Sequence, residues 1–279
     1  MRCEMIPIRV KGMEETASLT LYLLDNSEEL YDGLLRPMIL ICPGGGYEKT
    51  SDREGEGLAL KFLAMGCHCA VLRYSVAPAR YPAAFLQAGA AMKLIRERAG
   101  EWYIKKDQVF VQGSSAGGHL AACLGVGFRE KSLCEALDAA PEILRPSGMI
   151  LSYPVITTGE FANWRSFENL LGEKMLHEEA GAQLLRKLSL EYQVTAETPR
   201  TFLWHTFEDA MVPVENSLLF VQALRKKKVP VEFHLFEKGS HGLGTATRLT
   251  MSRDGRGIQK ECAPWMDLVK TWLENGTEI

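Results

Sequence analysis

The chain has 279 residues, of which 46% are hydrophobic and 24% charged. That is enough apolar material for one large core, and it argues against a disordered chain. A net charge of -3 offers no basic field to hold nucleic acid or an anionic membrane surface.

At the N-terminus no charged start leads into a long apolar core and a small-residue cleavage site, so a cytoplasmic location is expected. Apolar runs such as 38–42 are too short to cross a bilayer. Strands are predicted at 6–10, 18–23 and 37–42, then a helix at 53–64 and a strand at 68–74. A helix at 83–99, a strand at 108–112 and a helix at 116–125 follow. The last alternations are a strand at 148–153, a helix at 178–188, a strand at 201–205, a helix at 214–227, a strand at 231–236 and a helix at 259–275. The middle and late strands are nearly continuous apolar runs, as in a parallel sheet covered on both faces. The predicted class is α/β, a mostly parallel, doubly wound sheet with helices on both faces. Sites in such sheets lie on loops at the carboxyl ends of the strands.

One domain over 1–279 is expected, with an insertion at 155–192 where the alternation breaks. Phe161, Trp164 and Phe167 fall in it. An insertion over a strand end commonly forms a cap; the bland alternative is a surface excursion. The seven cysteines are odd in number and scattered, which does not read as a disulfide framework. Cys67 and Cys69 flank His68 at the start of an apolar run and read as buried strand cysteines, not as metal ligands.

Gly113-Ser114-Ser115-Ala116-Gly117 matches G-x-S-x-G, with a strand before it and a helical run after it. Ser115 is then the nucleophile, in a turn so tight that only small neighbours fit. Ser114 is the rival, but it lies out of register. The helix that starts here favours negative charge at its N-terminus, and the Ala116 N–H is a candidate oxyanion donor. Pro43-Gly44-Gly45-Gly46-Tyr47 follows a strand directly and lets backbone amides approach a ligand. No Gly-Lys-Ser/Thr follows, so it is not a phosphate loop.

A serine nucleophile needs a base. His241 sits on a glycine-flanked loop after the last strand. His119 reads as a helix residue packed near the serine, His205 and His234 as strand residues, His68 as a strand start and His177 as an exposed helix residue. The acid belongs on the loop after 201–205, where Asp209 stands in a D-x-x-V-P register and Glu208 is its rival. A carboxylate there fixes the histidine tautomer; the bland reading of either is a helix cap.

The segments PGGGY, VLRYSVAP, GSSAGGHLA, SFENLLG, EDAMVP and GSHGLG resemble the esterase/lipase branch of the α/β-hydrolases, and more narrowly its acetyl-esterase and acetylxylan-esterase-like members. The resemblance runs from about Pro37 to Gly244. It implies the α/β-hydrolase fold, a Ser115–Asp209–His241 triad, and Gly45, Gly46 and Ala116 as oxyanion donors. Pro43 stands where hormone-sensitive-lipase relatives carry histidine. The implied activity is serine carboxylic-ester hydrolysis, with acetylated sugars as the ester substrate and no metal or organic cofactor. Because sugars stack on aromatic faces, Tyr47, Tyr74, Tyr81 and Trp164 are candidate pocket residues. A homo-oligomer is left open. Rival readings are a prolyl-oligopeptidase-type peptidase, an arylformamidase, and a non-catalytic binding protein on the same fold.

Overall fold

The computed structural model describes residues 1–29, 33–176 and 178–275; His177 lies outside them. In chain order the elements are β1 (Arg2–Arg9), β2 (Thr16–Leu23), β3 (Arg36–Cys42), α1 (Glu56–Ala64), β4 (His68–Arg73), α2 (Ala83–Glu97), β5 (Ile104–Ser114) and α3 (Ala116–Gly127). They continue with α4 (Lys131–Leu137), α5 (Pro141–Leu144), β6 (Met149–Ser152), α6 (Trp164–Leu171), α7 (Glu173–Leu176), α8 (Glu179–Leu188), β7 (Thr201–Thr206), α9 (Glu215–Lys226), β8 (Val231–Phe236) and α10 (Trp265–Asn275).

The described residues form an eight-stranded sheet in the order β1-β2-β4-β3-β5-β6-β7-β8. The pairs β1/β2 and β2/β4 are antiparallel, and every pair from β4/β3 to β7/β8 is parallel. The apolar runs serve two cores because successive side chains on a strand point to opposite faces. From β3, Met38, Leu40 and Cys42 enter the core shared with α2, α3 and α9, whereas Ile39 and Ile41 enter the one shared with α1 and α10. Full burial of each such Leu or Ile is worth about 1.5–3 kcal/mol. Cys67 and Cys69 pack in the α1/α10 core.

The connection that positions the site is the crossover around β3. The chain leaves β3 for β4 on one side, then returns past it to β5 on the other. This reversal opens a crevice at the carboxyl ends of β3 and β5. The β3/β5 register pairs Cys42 with Gly113, so the glycine loop and the serine turn leave the sheet side by side.

Several boundaries differ from the sequence expectation: the strands expected from 6 and from 108 start four residues earlier, at Arg2 and Ile104. The helix predicted from 259 starts at Trp265, because Pro264 disfavours helical geometry in the residue before it. The helix predicted from 53 begins at Glu56, after a separate turn at Asp52–Glu54. The short helices α4 to α7 have too few turns for their periodicity to stand out in sequence.

Candidate active site

Ser115 stands between β5 and α3 with φ 55° and ψ -123°, a region that costs about 1–3 kcal/mol for a non-glycine residue. Close packing enforces the turn. A Cβ on Gly117 would lie 2.0 Å from the Cys42 carbonyl oxygen, so only glycine lets α3 approach β3 there. The Ser115 N–H donates to Ser152 O (3.0 Å), and Ser115 O accepts from Val155 N (3.1 Å). The turn is thereby sewn to the end of β6.

His241 Nε2 lies 2.8 Å from Ser115 Oγ, and His241 Nδ1 lies 2.6 Å from Asp209 Oδ2. The other carboxylate oxygen of Asp209 accepts the Met211 and Val212 amides at 3.0 and 2.9 Å. Burial alone would raise the Asp209 pKa. Hydrogen bonds from His205 and His241, the charge of His241 and the Val212 amide outweigh it and hold the carboxyl well below the usual carboxylate range. The two rivals stand apart from this chain of bonds. Ser114 is fully buried and accepts from Gln112 Nε2 (3.1 Å). Glu208 is exposed and accepts the Gly239 amide (3.2 Å).

His205 belongs to this arrangement, although its strand position gave no sign of it. It is fully buried. Its Nε2 lies 3.0 Å from Val212 O and 3.3 Å from Asp209 Oδ2, and its Nδ1 lies 2.6 Å from Ser217 Oγ. A carbonyl oxygen only accepts, so Nε2 carries the proton and shares it with Asp209, while Nδ1 accepts from Ser217.

The glycine loop has one committed amide and two open ones. Gly44 N–H donates to Glu54 Oε2 at 2.9 Å. The Gly45 and Gly46 amides find no acceptor among the described residues. Ala116 opens α3, so its N–H has no intrahelical acceptor. Gly45 and Gly46 line one cavity of about 610 Å³ with Ser115 and His241. Backbone donors beside a serine and a helix N-terminus can receive negative charge that develops on a carbonyl oxygen.

Several expected pocket residues are corrected. Tyr47 and Tyr74 are buried, and neither lines this cavity. The Tyr74 hydroxyl donates to Pro43 O (2.7 Å). The Tyr47 hydroxyl donates to His119 Nδ1 (2.9 Å), because His119 Nε2 must donate to Leu188 O (2.9 Å). Burial pushes the His119 pKa down to about 4, so it is neutral near pH 7 and links the glycine loop to the end of α8. Both tyrosines therefore brace the loop from behind. Tyr81 lines a separate cavity of about 280 Å³ with Lys187 and Glu130. Trp164 is 46% exposed, lies edge-on to Phe167 and does not line the cavity. Its neighbours Asn163, Arg165 and Ser166 do.

These three residues lie at the start of α6, whose side chains reach the loops that follow β3 and β7. Asn169 Nδ2 donates to Gly46 O (2.9 Å), Arg165 pairs with Glu48 (2.6 Å), and Asn163 Nδ2 donates to Met211 O (2.9 Å). Asn216 fastens the base of the segment. Its Oδ1 accepts the Ile156 and Thr157 amides, and its Nδ2 donates to Phe161 O. Phe167 is fully buried against the His119 ring.

Comparison with known proteins adds to this geometry. The profile of the alpha/beta hydrolase fold family matches residues 39–245. Endo-1,4-beta-xylanase B of Butyrivibrio fibrisolvens is 39% identical over 225 residues, 77% of this chain and 34% of that protein. An acetylxylan esterase of Xylanibacter ruminicola is 26% identical over 215 residues, 75% of this chain and 41% of that protein. The chain thus spans well under half the length of these two curated relatives. Among solved structures, the acetyl ester-xyloside bifunctional hydrolase of Caldicellulosiruptor lactoaceticus superposes with a TM-score of 0.82 at 34% identity, covering 98% of this chain and 96% of that one. A carboxylesterase of Lactobacillus plantarum gives a TM-score of 0.82 at 27% identity, covering 99% and 98%.

Proposed function

We propose that this chain, which belongs to the alpha/beta hydrolase fold family, is a serine carboxylic-ester hydrolase that removes acetyl groups from sugars or oligosaccharides. The observation that carries the reading is the continuous chain of bonds from Ser115 Oγ through His241 to Asp209 at the wall of an open cavity. Ser115 attacks the ester carbonyl while His241 Nε2 takes its proton. The carbonyl oxygen becomes an oxyanion held by the Gly45, Gly46 and Ala116 amides. His241 then gives its proton to the leaving alcohol, and an acyl-enzyme remains. Water attacks it with His241 again as base, and acetate and free Ser115 are released. Asp209 holds His241 with its proton on Nδ1, leaving Nε2 free to accept.

The sugar-acetate reading draws on the relatives, one named acetylxylan esterase and one structural neighbour named acetyl ester-xyloside hydrolase. Seven free thiols, five of them buried, fit the reducing cytoplasm. The 155–192 segment acts as the cap of the site. Acetate esters are expected to turn over much faster than octanoate esters, and acetylated xylo-oligosaccharides to release acetate. A chain-length series of 4-nitrophenyl esters checks this, and a preference for octanoate overturns it.

Within the 155–192 segment Arg165 lines the cavity and Trp164 does not. Arg165→Ala is expected to raise KM for a sugar acetate about three- to tenfold while kcat on 4-nitrophenyl acetate stays nearly constant. Trp164→Ala should change neither. Equal kinetics for Arg165→Ala and wild type on every ester would remove the cap from substrate binding.

A further inference from the structure

The turn Asp52–Glu54 follows the glycine loop and is itself firmly held. Arg73 Nη1 donates to Thr50 O (3.1 Å) and Ser51 O (3.2 Å), and Arg73 pairs with Asp52 at 3.0 Å. Arg53 Nε donates to Thr250 O at 2.6 Å. From this anchored turn Glu54 points inward and is only 4% exposed. Both of its carboxyl oxygens accept from the protein. Oε2 takes the Gly44 N–H at 2.9 Å, and Oε1 takes the Tyr153 hydroxyl at 2.6 Å. The Tyr153 hydroxyl in turn accepts the Gly244 N–H at 2.8 Å. The Tyr153 ring stands edge-on to the His241 ring, 5.0 Å between centroids.

One side chain therefore joins the two loops whose spacing the chemistry depends on. Gly44 precedes the open Gly45 and Gly46 amides, and Gly244 is on the loop that carries His241. The packing is tight. A Cβ on Gly44 would come within 2.6 Å of Glu54 Oε2 and 2.9 Å of Ser115 Cβ, so Gly44 is held between the two. A buried carboxylate near a centre that develops negative charge opposes that charge. Retaining it there calls for a compensating gain, and the gain offered is geometric.

We propose that Glu54 is a positioning residue for ester hydrolysis. Acting through Gly44 and Tyr153, it sets the distance between the oxyanion-binding amides and His241. The inference rests on the ester-hydrolase reading above. Its effect belongs in the transition state, because the ground-state carbonyl makes few demands on the amides and the oxyanion makes many.

The test compares wild type, Glu54→Ala, Glu54→Gln and Tyr153→Phe with 4-nitrophenyl acetate as substrate, phenylboronic acid as a transition-state mimic, and thermal unfolding of each variant. A displacement of the amides by about 1 Å predicts that Glu54→Ala loses about 10²-fold in kcat with KM within about threefold of wild type. Boronate affinity should fall in parallel with kcat/KM. Glu54→Gln keeps an acceptor for Gly44 N–H and a donor toward the Tyr153 oxygen, so it should recover to within about tenfold of wild type. Tyr153→Phe cuts only the His241 side and should fall between the two. An active wild type with an equally active Glu54→Ala overturns this inference alone, whereas an inactive wild type overturns the ester-hydrolase reading and this inference with it. If Glu54→Ala does not fold, the other two decide. A folded Glu54→Gln that loses about 10²-fold, or a Tyr153→Phe with wild-type kinetics, overturns the proposal.

Discussion

Ser115→Ala is expected to lower kcat/KM on 4-nitrophenyl acetate by about 10³-fold or more, and to abolish labelling by a fluorophosphonate. The covalent step has no second candidate at this position. Ser114 is fully buried and its hydroxyl accepts from Gln112 Nε2, whereas His241 Nε2 pairs with Ser115 Oγ. Any residual rate comes from the oxyanion donors and substrate binding alone. The variant should fold normally, because alanine fills the same space and the lost partner of His241 faces an open cavity. The strain at φ 55° remains with alanine. Ser115→Gly removes it and should be equally inactive yet at least as stable as wild type, since the strain serves the chemistry and not the fold. Full activity in Ser115→Ala, or a fluorophosphonate adduct on Ser114, would refute the assignment.

The parts that could be read in the sequence were those written in local pattern. The run from Met38 to Cys42 is apolar at every position, and the fold uses every position because its alternate side chains enter two cores. The glycine loop and the serine turn were legible because backbone approach demands glycine locally. The loops of Asp209 and His241 were legible because a parallel sheet places its functional loops after strands. What could not be read was lateral. Glu54 and Tyr153 are 99 positions apart, and no periodicity links them. His205 looked like one more strand residue, yet its Nε2 reaches Asp209 one helical turn's worth of sequence later. Tyr47 and Tyr74 failed as pocket residues for a related reason. An aromatic residue near a site can face the ligand or support the loop, and composition does not say which. Here their rings pack together edge-on at 5.9 Å behind the loop.

Asp209→Asn is expected to cost about 10⁴-fold in kcat, and to be no more active than Asp209→Ala although it is the gentler change in shape. The reason lies in which groups surround the carboxylate. The Met211 and Val212 amides both donate to Oδ1, so an asparagine must place its carbonyl oxygen there. Its NH2 then occupies the Oδ2 position, facing His241 Nδ1 at 2.6 Å and His205 Nε2 at 3.3 Å. His205 Nε2 already carries a proton shared with Val212 O, so that contact becomes donor against donor. His241 Nδ1 can satisfy the new NH2 only by accepting from it, which moves the imidazole proton to Nε2. In that tautomer Nε2 no longer accepts the Ser115 proton, and the base is lost although every atom remains near its place. Alanine imposes no tautomer on His241, but it leaves the Met211 and Val212 amides without their acceptor. The two variants should therefore rank in opposite orders, with Asp209→Asn the more stable and Asp209→Ala at least as active. Unfolding temperatures and kcat on 4-nitrophenyl acetate measure both. An Asp209→Asn enzyme that retains more than about a tenth of wild-type kcat would show that the carboxylate does not set the histidine tautomer.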